Sequence, residues 1–268
     1  MKRYLSGITL LLCSAVALTS CSDDDNPPIQ PKLPAAEGAS VTRITHSGNV
    51  PQSYDWSFVY ANGRLTQGTG QLFDVNQSNK YTSYLTYNSD NVYVTNSNGL
   101  QFKLELNGDN YLTRLTVDGN VYEFSYSDGR LTRWEKTVYD TSFGQTAYRS
   151  GATISYKNGN YERIEYKENN DAPVSYSFTS SDLPNRNGLL PETVHAALGM
   201  LGFEHLYYAG MLGKASLNLV QSITTDRTAL GGEQETVSFD YHVTRDGDVD
   251  LCNYTYQGAP ASVRFDYK

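Results

Sequence analysis

Four histidines and a scatter of carboxylates are the groups in this 268-residue chain best suited to acid–base or metal chemistry. His195 and His205 stand ten positions apart. At about 100° per residue that spacing places them on different sides of a helix, so they form no metal pair. Glu204, next to His205, reads as a helix-surface neighbour rather than half of a catalytic dyad. His46 and His242 are the other two. Asp246, Asp248 and Asp250 put a carboxylate at every second position, the only hint of a calcium site. A calcium-binding EF-hand loop also needs Gly sixth and Glu twelfth, where this chain has Leu251 and Gln257, so the run reads as a solvated turn. There is no G-x-S-x-G elbow, H-E-x-x-H or P-loop. Carboxylates are numerous enough for a glycosidase pair, but nothing singles out two of them. These residues point to a protein without catalytic residues, metal or cofactor. A hydrolase with an unrecognised carboxylate site is an alternative.

Aromatic side chains are the other chemical resource. The chain has 22 tyrosines and two tryptophans. Exposed on a concave surface, Trp56, Trp134, Tyr84 and Tyr93 would be candidate ligand-binding residues, because ring faces stack on sugars. The competing reading is that tyrosine simply suits strands, with its ring on the sheet face and its hydroxyl wet. Cys252, alone in a strand-like stretch, reads as a small core residue.

The first residues concern address. Lys2 and Arg3 precede an apolar run from Ile8 to Leu18, the length of a signal-peptide core and too short for a mature membrane helix. Leu18-Thr19-Ser20-Cys21 then fits the lipobox of bacterial lipoproteins. Residues 1–20 read as a lipoprotein signal peptide and Cys21 as the lipidation site, the membrane attachment of the mature chain. Asp23, Asp24 and Asp25 resemble the surface-export signal of Bacteroidetes lipoproteins. Four prolines between 27 and 34 make residues 21–40 an acidic, proline-rich tether. Removal of residues 1–20 leaves 19 basic against 29 acidic residues, a charge of −10. That balance makes the chain a poor candidate for binding nucleic acid or anionic lipid surfaces.

Residues 41–268 must supply the elements that position any site, and they read as one domain. Asn-Gly or Asp-Gly occurs at 62–63, 98–99, 107–108, 118–119, 128–129, 158–159, 187–188 and 246–247. Such pairs favour type I′ hairpins, whose two central residues need positive φ. Between them side chains alternate: Tyr54, Trp56, Phe58 and Tyr60; Phe102, Leu104 and Leu106; Tyr122, Phe124 and Tyr126; Val237, Phe239, Tyr241 and Val243; Val263, Phe265 and Tyr267. The octets "YANGRLTQ" (60–67) and "YSDGRLTR" (126–133) are hairpin cassettes, strand end, turn, strand start. Arg130 and Arg133 read as solvated groups in them, and a ligand-binding role for the repeated Arg64 and Arg130 is the alternative. The predicted fold is mainly all-β, an antiparallel up-and-down meander curled into a barrel-like or half-barrel sheet. Pro191 to Gly213 lacks alternation; Val194, Leu198, Leu201 and Leu206 suggest a helical stripe. One or two short helices over 191–213 are expected to pack on or in the sheet. Gly199, Gly202 and Gly210 weaken them as free helices by up to ~1 kcal/mol each.

Lipobox, acidic run, tyrosine-rich hairpins and "AGMLGKASLNLVQSIT" at 209–224 together resemble a Bacteroidetes lipoprotein family, domain of unknown function 4595, described as having a porin-like fold. The resemblance implies a barrel-like antiparallel sheet and no activity. It does not imply a pore, because polar and charged residues alternate along the strands where a membrane barrel needs an apolar outer band. The sequence therefore reads as an outer-membrane, lipid-anchored, surface-facing protein that binds a ligand, a glycan or an outer-membrane protein partner. A structural or assembly role in an outer-membrane complex is an alternative.

Overall fold

A strand with one apolar and one polar side must dry the apolar side, and a sheet long enough can do so by closing on itself around a core. This chain does that. The structure, a computed structural model, describes residues 28–33, 38–48, 55–70, 80–140 and 145–268. Cys21, Asp23, Asp24 and Asp25 lie outside the described residues. The strands in order are β1 (Val41–Gly48), β2 (Trp56–Ala61), β3 (Arg64–Gly70), β4 (Tyr81–Tyr87), β5 (Val92–Asn96), β6 (Gln101–Leu106), β7 (Leu112–Val117) and β8 (Asn120–Ser127). They continue as β9 (Arg130–Asp140), β10 (Gln145–Lys157), β11 (Asn160–Glu168), β12 (Val174–Pro184), β13 (Asn218–Asp226), β14 (Gln234–Val243), β15 (Val249–Tyr256) and β16 (Ala259–Tyr267). Each pairs antiparallel with its neighbours in sequence, and β1 pairs with β16 from Val41↔Tyr267 to Gly48↔Ala261, closing a sixteen-stranded barrel.

The predicted inward rows are inward. Trp56 and Phe58, Phe102 and Leu104, Tyr122 and Phe124, Val237 and Phe239, and Val263 and Phe265 are all buried in the core. Tyr54 lies outside the described residues. Val243 departs: a register shift between His242 and Val243 leaves it 36% exposed. The outer wall carries Lys103, Glu105, Arg114, Glu123, Arg133, Glu135, Glu165 and Lys167, all exposed. A lipid-facing wall would pay about 2–4 kcal/mol for each mid-bilayer Arg or Lys. This wall is built for water.

Asn62-Gly63, Asp118-Gly119, Asp128-Gly129 and Asn158-Gly159 each have both residues at positive φ, as the two-residue hairpin requires. Gln257-Gly258 makes the same reversal without the expected dipeptide. Asn187-Gly188 lies in the long β12–β13 connection instead of a hairpin.

The cassette has a second function besides turning. The Tyr126 hydroxyl donates to the Leu112 carbonyl at 2.7 Å, that of Tyr156 to Leu131 at 3.0 Å and that of Tyr87 to Leu65 at 2.8 Å. Each tyrosine near one turn thus holds the backbone of an earlier strand at the same rim. The arginines belong to this device. Arg64 lies over the Tyr87 ring and Arg130 over Tyr156, at 5.6 and 5.8 Å, and Arg130 Nε donates to the Gly159 carbonyl. Arg130 therefore covers a ring instead of standing free in solvent, which corrects the sequence expectation. Arg133 is exposed, paired with Glu135.

Residues 185–217 leave β12, fill the barrel and return to β13. Leu198, Met200, Phe203, Leu206, Tyr207, Met211 and Leu212 are almost fully buried there. The segment is a plug, packed in the sheet as its composition required. It contains one short helix, α1 (Glu204–Tyr208), and the rest of 191–213 is tight turns. Thr193, Gly199, Gly202, Gly210 and Gly213 take positive φ, which breaks the helical stripe read from Val194, Leu198 and Leu201. Gly199 is needed at its place. A Cβ there would lie 2.7 Å from the Trp134 ring, whose Nε1 donates to the Ala197 carbonyl at 3.0 Å. Gly199→Ala is expected to destabilise the protein by roughly 2–5 kcal/mol through backbone strain and overpacking. Chemical denaturation measures this; an unchanged midpoint would show that Trp134 does not seat the plug here.

Part of the expected tether is docked. Ile29 N–H donates to the Asn88 carbonyl at 3.0 Å, Arg64 to that of Pro28, and Gly38 N–H to that of Arg186. A Cβ on Gly210 would lie 2.0 Å from the Lys32 carbonyl oxygen, so Lys32 and Leu33 lie directly on the plug, while Pro28 and Ile29 are held by the wall at the same rim.

Candidate functional site

Two arrangements stand out, one inside the barrel and one outside. Inside, a row of ionisable groups runs from the rim to the centre. Lys80 Nζ lies 3.6 Å from Asp55 Oδ2, and Asp55 Oδ1 lies 3.6 Å from His46 Nδ1 while accepting the His46 backbone N–H at 2.8 Å. His46 Nε2 is 3.3 Å from Glu192 Oε2. Glu192 Oε1 is 3.9 Å from His195 Nε2, and His195 Nδ1 is 3.3 Å from Glu204 Oε1. Lys80 and Asp55 are wet; the other four are buried. Burial alone disfavours a charged His195, but the Glu204 hydrogen bond and the nearby Glu192 carboxylate outweigh it and raise its pKa. Burial raises that of Glu204 against the pull of His195. Such a row can hold and pass a proton. It joins β1 to three points of the plug, so it also clamps plug to wall.

His205 is not part of it. The ring is fully buried, stacks on Trp56 at 5.4 Å, and its two nitrogens have no hydrogen-bond partner among the described residues. Desolvation lowers its pKa to about 3, so it stays neutral at ordinary pH. Gly68 and Gly70 on β3 make room: a Cβ on the first would meet His205 Cβ at 2.6 Å, and on the second the Trp56 ring at 2.3 Å. The helix-surface reading of Glu204 and His205 is thus overturned. Both lie in the plug, and Glu204 pairs with His195 instead.

Outside, the register of β8 to β11 builds a groove. One outward row across these strands is Glu123, Glu135, Gly151 and Lys167. The row on one side includes Thr137 and Arg149, and on the other Arg133, Thr153 and Glu165. Gly151 thus leaves a gap in the middle of a polar array. A Cβ there would sit 2.6 Å from the Trp134 carbonyl oxygen, so the floor is bare backbone. β9 and β10, 11 and 13 residues long, carry the wall onward, and Asn169 closes one end. Asn169 grips the Arg149 backbone on both sides, with Oδ1 accepting its N–H at 2.9 Å and its own N–H reaching the Arg149 carbonyl at 2.7 Å. The groove encloses about 630 Å³, within the ~300–1,000 Å³ range of small-ligand sites. Glu135 and Glu165 are held by Arg133 and Arg163 at 2.6 and 3.1 Å. Among the described residues, neither Arg149 nor Lys167 sits in an ion pair.

The other sequence candidates scatter. Trp56 and Trp134 are 2% and 5% exposed and belong to the core, so neither offers a face to a ligand. Tyr84 is 48% exposed on β4, and Tyr93 is partly exposed on neighbouring β5, away from the groove. Of the three aspartates, Asp246 offers its carbonyl to Arg186, Asp248 accepts from Asn187 at 2.7 Å, and Asp250 meets His242 Nδ1 at 2.5 Å. No group of three His, Cys, Asp or Glu among the described residues is arranged to hold a metal. Cys252 is buried, and desolvation followed by the Glu192 charge pushes its thiol pKa up. Glu192, His46 and Asp55 were missed because only the Glu192–His195 step is local. The groove had one signal, a glycine inside the strand-like run Arg149-Ser-Gly-Ala-Thr153.

No curated protein matches the chain. Among solved structures, a porin-like protein from Bacteroides uniformis ATCC 8492 is similar, with a TM-score of 0.66, 17% identity, and coverage of 87% of this chain and 100% of that one. At that identity the likeness carries the fold alone. Residues 41–256 match the family model described as Domain of unknown function (DUF4595) with porin-like fold. A closed up-and-down barrel with this match over most of its length places the chain in that family: it is a member of the domain of unknown function 4595 family with porin-like fold.

Proposed function

We propose that this protein is a lipid-anchored, outward-facing docking module of the outer membrane. It binds a ligand or partner on the outside of its barrel and performs no catalysis. The observation that carries this reading is the plug. Residues 185–217 fill the lumen with buried apolar side chains, leaving the outer wall and its groove to do the binding. Position supports it. Cys21 is seven residues from Pro28, where the chain is already docked on the plugged end, a reach of at most about 25 Å. The groove lies along β9–β11 toward the other end, so an anchored barrel would hold it away from the bilayer.

Three experiments test this. Cys21→Ala is expected to abolish incorporation of an alkyne fatty acid and release the protein from the membrane fraction. Replacing Asp23, Asp24 and Asp25 by Ala is expected to keep the lipid but lose protease accessibility on whole cells. A photo-crosslinking residue at Thr153, in the groove, is expected to capture an extracellular component. The same probe at Val59 on β2, eight strands away round the barrel and 50% exposed, is expected to capture none. Equal capture from both positions would refute a groove-centred role.

A further inference from the structure

We propose that the groove on β8–β11 binds an acidic saccharide, with Arg149 and Lys167 holding a carboxylate while Thr137, Thr153, Asn169 and Asn170 meet its hydroxyls. This names the ligand class of the groove and rests on the docking reading above.

The charge pattern selects the class. Arg149 and Lys167 flank the bare Gly151 floor, one on the neighbouring outward row of the same strand and one directly across the ladder. The carboxylates in reach of the floor, Glu135 and Glu165, are already engaged by Arg133 and Arg163. The two cations are therefore available to an incoming anion. A guanidinium offers a planar fork that matches a carboxylate with two parallel hydrogen bonds. The Asn169 grip on both sides of the Arg149 backbone holds that fork's base in place before any ligand arrives.

The rest of the lining excludes a pure polyanion. Glu123 stands in the same row as Gly151, and the mature chain carries a charge of −10. An extended polyanion such as a nucleic acid would be repelled at every further step. What fits is a ligand with few carboxylates among many hydroxyls. Threonine hydroxyls and asparagine amides donate and accept, as sugar hydroxyls do. Tyr139, 46% exposed, and Pro173 add apolar surface to the lining, suited to the C–H face of a sugar ring. The glycine floor lets a sugar ring approach the backbone.

Calorimetric titration of the full mature chain with trigalacturonate, galactotriose and hexaglutamate tests the proposal. Trigalacturonate is expected to bind. Galactotriose, which lacks the carboxylates, is expected to bind about tenfold to a hundredfold more weakly. Hexaglutamate, with carboxylates but no sugar hydroxyls, is expected not to bind measurably. Arg149→Ala and Lys167→Ala, both at exposed positions, are each expected to weaken trigalacturonate by about tenfold or more while leaving thermal unfolding unchanged. Equal affinity for trigalacturonate and galactotriose overturns the carboxylate role of Arg149 and Lys167. Binding of hexaglutamate in place of trigalacturonate overturns the saccharide. No binding of trigalacturonate overturns the ligand class. If Thr153 crosslinking persists in that case, the docking reading stands without it; if crosslinking is lost as well, both fall.

Discussion

Excision of residues 186–216, with Asn185 joined to Leu217 through an Asn-Gly turn, is expected to leave no folded barrel. The cut is geometrically mild. Asn185 N–H already donates to the Leu217 carbonyl at 2.8 Å, and Pro184 already pairs with Asn218. A two-residue turn would close β12 and β13 into an ordinary hairpin, as at the other rims. The interior is the obstacle. Leu198, Phe203, Leu206, Met211 and Leu212 are each 2% exposed or less. Burying side chains of this kind contributes ~1.5–3 kcal/mol apiece. Five of them thus match a whole domain's net stability of ~5–15 kcal/mol. The wall loses as much again, because Phe124, Trp134 and Leu131 would face an empty or water-filled lumen. A channel-forming barrel survives without a plug because its lumen is polar; this lumen is not. Near-UV circular dichroism and urea titration of the excised protein decide it. A cooperative transition at the wild-type midpoint would show that the wall folds on its own and that the plug is an insert.

The second large effect concerns acid. His205 has a folded pKa of about 3 against an ordinary value near 6.5. Between those values the unfolded chain binds a proton that the folded chain refuses. Its contribution to stability is therefore complete above pH 6.5 and is lost as pH falls toward 3, at about 1.4 kcal/mol per unit. His195 acts with the opposite sign: its raised pKa contributes stability that is present below pH 6.5 and is lost as pH rises through the folded value. Glu204, also raised, favours the fold while protonated, and that advantage fades as pH climbs above the ordinary carboxylate value. The wild-type profile is a sum of opposing slopes, so the informative quantity is a difference. His205→Phe keeps the stack on Trp56 and removes the two nitrogens. It is expected to gain about 2–3 kcal/mol relative to wild type between pH 6.5 and 4.5. Urea midpoints across that range measure it. Parallel curves for the two proteins would mean that the ring accepts its proton without leaving the core.

The wall was legible because its signals are local. Trp56 and Phe58 face inward with Ser57 between them outside; Asp128-Gly129 reverses the chain between Tyr126 and Leu131; the break in alternation after Pro191 marks the plug. Each rests on neighbours one to six residues apart. Even there a long-range effect intruded. Arg130 looked solvated because the ring it covers, Tyr156, is far along the chain, at the end of the neighbouring strand β10.

What the sequence by itself determined is the pleat, the reversals and the segment too apolar to be outside. Side-chain alternation and positive-φ turn residues act on adjacent peptide units, so they can be read along the chain. Only the tertiary structure decided that β1 meets β16, that Glu192 sits between His46 and His195, and that Gly151 opens a floor flanked by Arg149 and Lys167. Those meetings depend on how many strands complete the circle and on the path the plug takes through it. Both come from filling one volume with every inward side chain at once, a condition no local stretch carries.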